Sequence, residues 1–247
     1  MELNDIYTGT SLHFDAALPK GSGEVETEEH SQSHSVSGSI VATPANDWAI
    51  IQKVLPQVTR PAPGAAKAFA VAYVPYIDGR IHYHEGTAAV LSDKYSGCLM
   101  AVYSDANKQR RVAHVPKSNN VDNDCIGEFR DYFDAHSTLA GAEKTKHVKT
   151  GHKLKHYFQP FVESRDADIQ LGIIGKLIQE KMISEVYGFS VFGLVTARDD
   201  SCVSIWAVKP AKQPATGEMW HVLLVRKRQP LEDFKALVGK KNRAVKL

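Results

Sequence analysis

Short stretches of alternating apolar and polar residues are the commonest pattern in this chain, and each alternation marks a strand with one buried face. Ser11 to Phe14, Ser37 to Thr43, Gly86 to Ser92, Cys98 to Tyr103 and Arg111 to Val115 read as strands. Ala70 to Ile77 and Arg80 to Glu85 flank Asp78-Gly79, a dipeptide that tolerates the positive φ of a type I′ turn, and so predict a hairpin. The last third continues with Tyr187 to Arg198, a turn at Asp199-Asp200, Cys202 to Lys209, Met219 to Arg228 and a short helix from Leu231. A helical period occurs twice more. Ile126, Phe129 and Phe133 within Asp122 to His136, and Ile169, Ile173, Leu177 and Ile178 within Asp168 to Ile183, form core-facing stripes. Pro44-Ala45-Asn46 reads as a turn, and Trp48 to Val54 suits a helix or a strand. Together these elements predict an α/β fold, a mixed, mostly antiparallel sheet with two or more helices.

Three polar features interrupt the pattern. Gly21 to Ser39 is rich in Ser, Glu, Gly and His with two valines, too little apolar surface to pack, and reads as a mobile low-complexity loop whose His30 and His34 carry no role. Lys144 to His156 holds five lysines and three histidines and reads as a solvated connector. His82 and His84 share one strand face, where an HxH pair could chelate a metal; with no third ligand in place, an exposed strand face is the expected setting.

A length of 247 residues fits one elaborated domain, here 1–247, against a prior of roughly 150 residues per domain. At 43% hydrophobic and 23% charged the chain can bury its own core. Net charge is +2, from 30 bases and 28 acids; residues 1–45 hold one base and seven acids (−6), which leaves 29 and 21 (+8) for the rest. That excess is too mild to indicate direct nucleic-acid binding. No apolar run approaches the roughly 20 residues of a membrane span, and residues 1–20 lack the basic and apolar segments of a signal peptide. The expectation is a soluble chain made in the cytoplasm, with no membrane partner; action outside the producing cell would require a dedicated secretion machine. Cys98, Cys125 and Cys202 have no CxxC spacing, which suits neither a disulfide scaffold nor a Cys-rich zinc site, and no cofactor is expected.

The chemistry concentrates around Cys98. If the polar loop after Tyr103 turns at Ala106, midway between 98 and 114, Cys98 and His114 fall opposite each other or nearly so on a hairpin, and directly opposed Cβ atoms are about 4.5–5.5 Å apart. An imidazole beside a thiol favours the thiolate and can shuttle its proton. Tyr95-Ser96-Gly97 precedes the cysteine, and small residues there would let the backbone N–H groups of Gly97 and Cys98 form an oxyanion hole. Ser92 could hydrogen-bond the imidazole and fix its tautomer. Cys125 and Cys202 have no comparable partner in the sequence and read as core residues.

At these residues the chain resembles the protein-glutamine deamidases of the CheD and cytotoxic necrotizing factor group, above all its Burkholderia lethal factor-like toxins. Ser96-Gly97-Cys98 matches the nucleophile motif and His114 falls where the family's histidine follows; Ser92 stands where the family has Thr. Thr10 to Leu18, Pro44-Ala45-Asn46, Val74-Pro75-Tyr76 and Gly193 to Arg198 resemble further segments. The resemblance implies an α/β fold of that group's type, a mixed, mostly antiparallel β sandwich flanked by helices, and a virulence toxin, delivered as a secreted effector to the host cytoplasm, that deamidates a glutamine of a host protein. In the lethal factor-like branch the implied target is a translation-initiation RNA helicase, and in the necrotizing-factor branch a Rho-family GTPase. Cys98, His114 and Ser92 would be catalytic, and a monomer is expected. A Cys-dependent peptidase or transglutaminase would share the acyl-enzyme chemistry, and a non-catalytic protein-binding module would leave Cys98 inert.

Overall fold

Strands form where apolar and polar positions alternate, and the pairing of those strands assigns them to two sheets. A computed structural model describes residues 6, 10–14, 31–33, 36–44, 67–117, 125–127, 129, 151–161, 189–210 and 213–228. In chain order the strands are β1 (Thr10–Phe14), β2 (Ser31–Ser33), β3 (Val36–Pro44), β4 (Lys67–Tyr73), β5 (Ile81–Glu85), β6 (Val90–Ser92), β7 (Leu99–Ser104), β8 (Arg110–Val115), β9 (Lys153–Phe158), β10 (Phe189–Val195), β11 (Cys202–Val208) and β12 (Glu218–Arg228). Seven of them close a barrel in the order β1-β12-β11-β10-β6-β4-β3, and the other five form a sheet in the order β2-β5-β8-β7-β9. Pairing is antiparallel except for β4 with β6 and β2 with β5.

Period-two alternation sorts the apolar side chains into three layers. Val203, Ile205 and Ala207 of β11 fill the barrel with Leu12, Phe14, Phe192, Leu194 and Trp220. Cys202 and Trp206 of the same strand face outward, into a seam shared with Met100, Val102, Val112 and Phe158 of the five-stranded sheet. On the far side of that sheet Leu99, Ala101 and Tyr103 pack with Cys125 and Phe129. Strands β7 and β11 are therefore covered on both faces, which explains their continuous apolar runs. Each fully buried large side chain contributes about 1.5–3 kcal/mol.

The seam is also tied by charge. Arg110 gives Nε to Asp200 Oδ1 at 2.6 Å and its remaining nitrogens to the carbonyls of Gly86, Ala88 and Thr196. Lys155 Nζ reaches the other Asp200 oxygen at 2.6 Å. Pairing of β7 with β9 slips at Val102/Tyr103, so Lys155 is passed over in the ladder and its side chain is released toward Asp200.

Several expectations change. The sheet-rich, mostly antiparallel architecture is present, but one sheet closes into a barrel, and among the described residues helix is confined to 125–127 and 129. The stripe at 168–183 and the helix from Leu231 lie outside the described residues, as do 45–66. Asp78-Gly79 does make a turn, closed by the single bridge between Ile77 and Arg80, yet no hairpin forms: β4 stays in the barrel and β5 joins the other sheet. Pro75, which has no N–H to donate to a ladder, lies at that departure. Within the expected mobile loop 21–39, residues 31–33 pair with β5 and 36–39 open β3. Those residues contribute backbone hydrogen bonds, which apolar content does not register. Likewise Lys153 to His156 of the expected connector belong to β9, with His156 buried.

Gly193 sets how closely the two sheets approach. A Cβ there would lie 2.6 Å from Met100 Sδ and 3.0 Å from both Pro160 Cγ and Tyr95 Cε2. Overpacking of this kind costs about 1–3 kcal/mol, so Gly193→Ala should lower the unfolding free energy by an amount in that range, read as a lower urea midpoint, and Gly193→Val by more. A Gly193→Val midpoint equal to the parent's would show that the seam has room to spare.

Candidate active site

The chain crosses from β6 in the barrel to β7 in the other sheet through residues 93–98, and that crossing carries the site. Two hydrogen bonds pin it to β10: Tyr95 N–H to Val191 O at 3.3 Å and Lys94 N–H to Ser190 Oγ at 3.2 Å. Gly97 takes a φ of 133°, which side chains rarely adopt, and a Cβ on it would sit 2.8 Å from Lys117 Cδ. Gly97 O accepts a hydrogen bond from Gln159 Nε2 at 3.4 Å.

Pairing of β7 with β8 aligns Met100 with His114 and Ser104 with Arg110. The turn therefore centres on Asn107, because the Asp105 carboxylate accepts the N–H groups of Asn107 and Gln109 and closes a five-residue loop. Cys98 is diagonal to His114, two residues from the directly opposed position expected from a turn at Ala106. A shift of two preserves the face, so both side chains still enter the seam, at the about 7–8 Å typical of diagonal neighbours. Pro116, which has no N–H, falls where the ladder would continue, and the next amide, Lys117 N–H, is donated to Cys98 Sγ at 3.2 Å.

His114 is 1% exposed and Ser92 fully buried, and Ser92 Oγ lies 2.7 Å from His114 Nδ1 in a hydrogen bond that joins the two sheets. Tyr95 stacks on the imidazole, with centroids 4.2 Å apart and planes 7° from parallel; Tyr76 lies against it at 5.3 Å and 57°. His114 Nε2 is buried with no hydrogen-bond partner among the described residues. Beneath the crossing, Tyr73 donates its hydroxyl to the buried Asp93 carboxylate.

Desolvation dominates the electrostatics. Burial, followed by the charges of His82 and Lys94, pushes the His114 pKa down to about 3. Burial also pushes the Cys98 thiol up, against the opposing pull of backbone N–H groups of Lys117, Ser96 and Cys98. The site thus holds a neutral thiol and a neutral imidazole; the thiolate expected from the sequence is not stabilised, because a diagonal, uncharged His114 offers no compensation for burial.

Other residues stand differently from their sequence reading. His82 is 1% exposed and directly opposite His114, on a strand face expected to be exposed. Cys202, expected to lack a partner, has one: its Sγ is 3.2 Å from His156 Nε2, and both side chains are buried. Only the register of β9 brings that histidine there. Tyr76 was legible as an aromatic beside a proline, without any indication that it would cover an imidazole. Among the described residues no three His, Cys, Asp or Glu side chains converge to hold a metal ion, and no helix is long and apolar enough to cross a membrane.

Compared with known proteins, the chain matches no family model, no curated protein and no solved structure. The resemblance to glutamine deamidases therefore rests on the motif residues themselves.

The buried histidine makes stability depend on pH. In the unfolded chain a histidine protonates near about 6.5, whereas folded His114 stays neutral down to about 3, so between these values the unfolded state binds more protons and stability falls as pH falls. His156, also held below its ordinary range by burial, adds in the same direction. Denaturation between about pH 6 and pH 4 should show the parent losing about 1.4 kcal/mol per pH unit more than His114→Gln. Equal slopes would mean that His114 titrates alike folded and unfolded.

Proposed function

We propose that this protein deamidates a glutamine side chain through Cys98 and His114, as the CheD and cytotoxic necrotizing factor group does. The observation that carries the reading is the imidazole itself: Nδ1 is engaged by Ser92 at 2.7 Å, Nε2 has no hydrogen-bond partner among the described residues, and Cys98 shares its sheet face. With Ser92 as acceptor for Nδ1–H, Nε2 carries a lone pair and serves as general base.

Cys98 Sγ attacks the amide carbon as its proton passes to His114 Nε2; concerted transfer suits a site in which neither group is charged at rest. Backbone N–H groups of Gly97 and Cys98 receive the oxyanion. His114 then protonates the departing nitrogen, the C–N bond breaks, and ammonia leaves a thioester. Water, losing a proton to His114, hydrolyses the thioester to glutamate and returns the thiol. The role extends to a secreted toxin acting on a host protein in the host cytoplasm, with a translation-initiation RNA helicase as the first target to examine. A second reading has support in one observation, the burial of Cys98 at 1% exposure, which suits a binding module with an inert thiol.

Peptide mass spectrometry of host-cell lysate should reveal glutamines converted to glutamate with the parent protein and none with Cys98→Ser, whose hydroxyl is too weak a nucleophile for this base. Ser92→Ala, which removes an orienting hydrogen bond worth about 1–3 kcal/mol, should slow conversion by several-fold to somewhat over a hundredfold. Conversion at parental rate by Cys98→Ser would end the assignment, and cleaved chains or amine adducts in place of glutamate would select a peptidase or a transglutaminase.

A further inference from the structure

A carboxamide held at Cys98 presents an oxygen that accepts and an NH2 that donates, and the residues so far placed at the thiol provide for the oxygen. The NH2 needs an acceptor, and the connection between β4 and β5 brings one. Tyr76 packs against the apolar cluster that contains Cys98, with its ring on His114 and its hydroxyl donating to Asp78 Oδ1 at 3.3 Å. Asp78 is exposed, in a turn held by the Arg80 N–H to Ile77 O hydrogen bond of 3.4 Å and by Gly79 at a φ of 70°. Burial is the main cause that holds the Cys98 thiol up, and the charge of Asp78 adds to it in the same direction. The stem of Lys117 lies across Gly97, the residue before the nucleophile.

Resting on the deamidase reading, we infer that Asp78, steadied by Tyr76, accepts the NH2 of the substrate carboxamide and so determines specificity for glutamine over glutamate at Cys98. A carboxylate supplies acceptance and an amide NH2 supplies donation, so glutamine is matched. Glutamate and other acids offer no donor and bring a like charge. The same repulsion hastens product departure, because the reaction turns the matched group into the mismatched one. Asp78 takes no part in bond making; the residues that move protons remain Cys98 and His114.

Three small alkylating reagents test this on the whole protein without any knowledge of the natural target. Iodoacetamide carries the NH2, methyl iodoacetate is neutral without it, and iodoacetate is charged; each rate is read from the Cys98 peptide. Relative to the parent, Asp78→Ala should lower the amide-to-ester rate ratio about fivefold to tenfold and relax the rejection of iodoacetate. Asp78→Asn, which keeps an acceptor oxygen without charge, should restore part of the amide-to-ester ratio but not the rejection of iodoacetate. Tyr76→Phe should lower the first ratio by a smaller factor. An unchanged amide-to-ester ratio in folded Asp78→Ala overturns the inference, as does an Asp78→Ala change confined to iodoacetate, which would mean that Asp78 acts by charge alone. A parent that converts no glutamine would sink the deamidase reading and leave these ratios to judge Asp78, whereas a parent that deamidates with Asp78-independent ratios would sink this inference alone.

Discussion

His114 sits in the seam between the barrel and the five-stranded sheet, and its hydrogen bond to Ser92 is made across that seam, from one sheet to the other. The geometry of the site follows from that contact. Ser92 pairs with Gly193, whose missing side chain leaves room for Tyr95 and Met100 to close on the imidazole's surroundings. Tyr95, stacked on the ring, and Tyr76, tilted against it, then hold the ring plane. Burial on this scale strips water from the imidazole and keeps it neutral, and neutrality leaves one ring nitrogen able to take a proton.

The site is assembled from crossings between the sheets. β6 leads into β7 through Tyr95, Gly97 and Cys98, and β4 leads to β5 through Tyr76 and Asp78. Strands hold each crossing at both ends, so residues on short loops acquire positions as defined as those in a sheet. The tie of Arg110 and Lys155 to Asp200 supports the same seam by linking β8, β9 and the β10–β11 turn. The Cys98 thiol is buried in the same seam.

Much of this was readable in the sequence. Alternation located β7, β8, β10, β11 and β12, and spacing placed Ser92, Cys98 and His114 on elements that do converge. The register of β7 and β8 was set locally, where Asp105 caps its own loop and centres the turn on Asn107. Elsewhere pairing is decided by partners distant in the chain. Asp78-Gly79 turned the chain from one sheet to the other, where a local rule expected a hairpin. Ser31 to Ser33 and Lys153 to His156 were too polar to announce strands, yet their backbones complete the second sheet. His82 and His156 took their burial from neighbouring strands, and no local pattern encodes that.

The central claim is that His114 is a neutral base, protonated on Nδ1 toward Ser92 and bare on Nε2. Nitrogen-15 NMR of the histidine side chains reads both properties at once, with His114 assigned by comparison with His114→Gln. The account predicts an Nδ1–H tautomer that persists unchanged while ordinary histidines titrate near about 6.5. An Nε2–H tautomer, or protonation of His114 in that ordinary range, would contradict it.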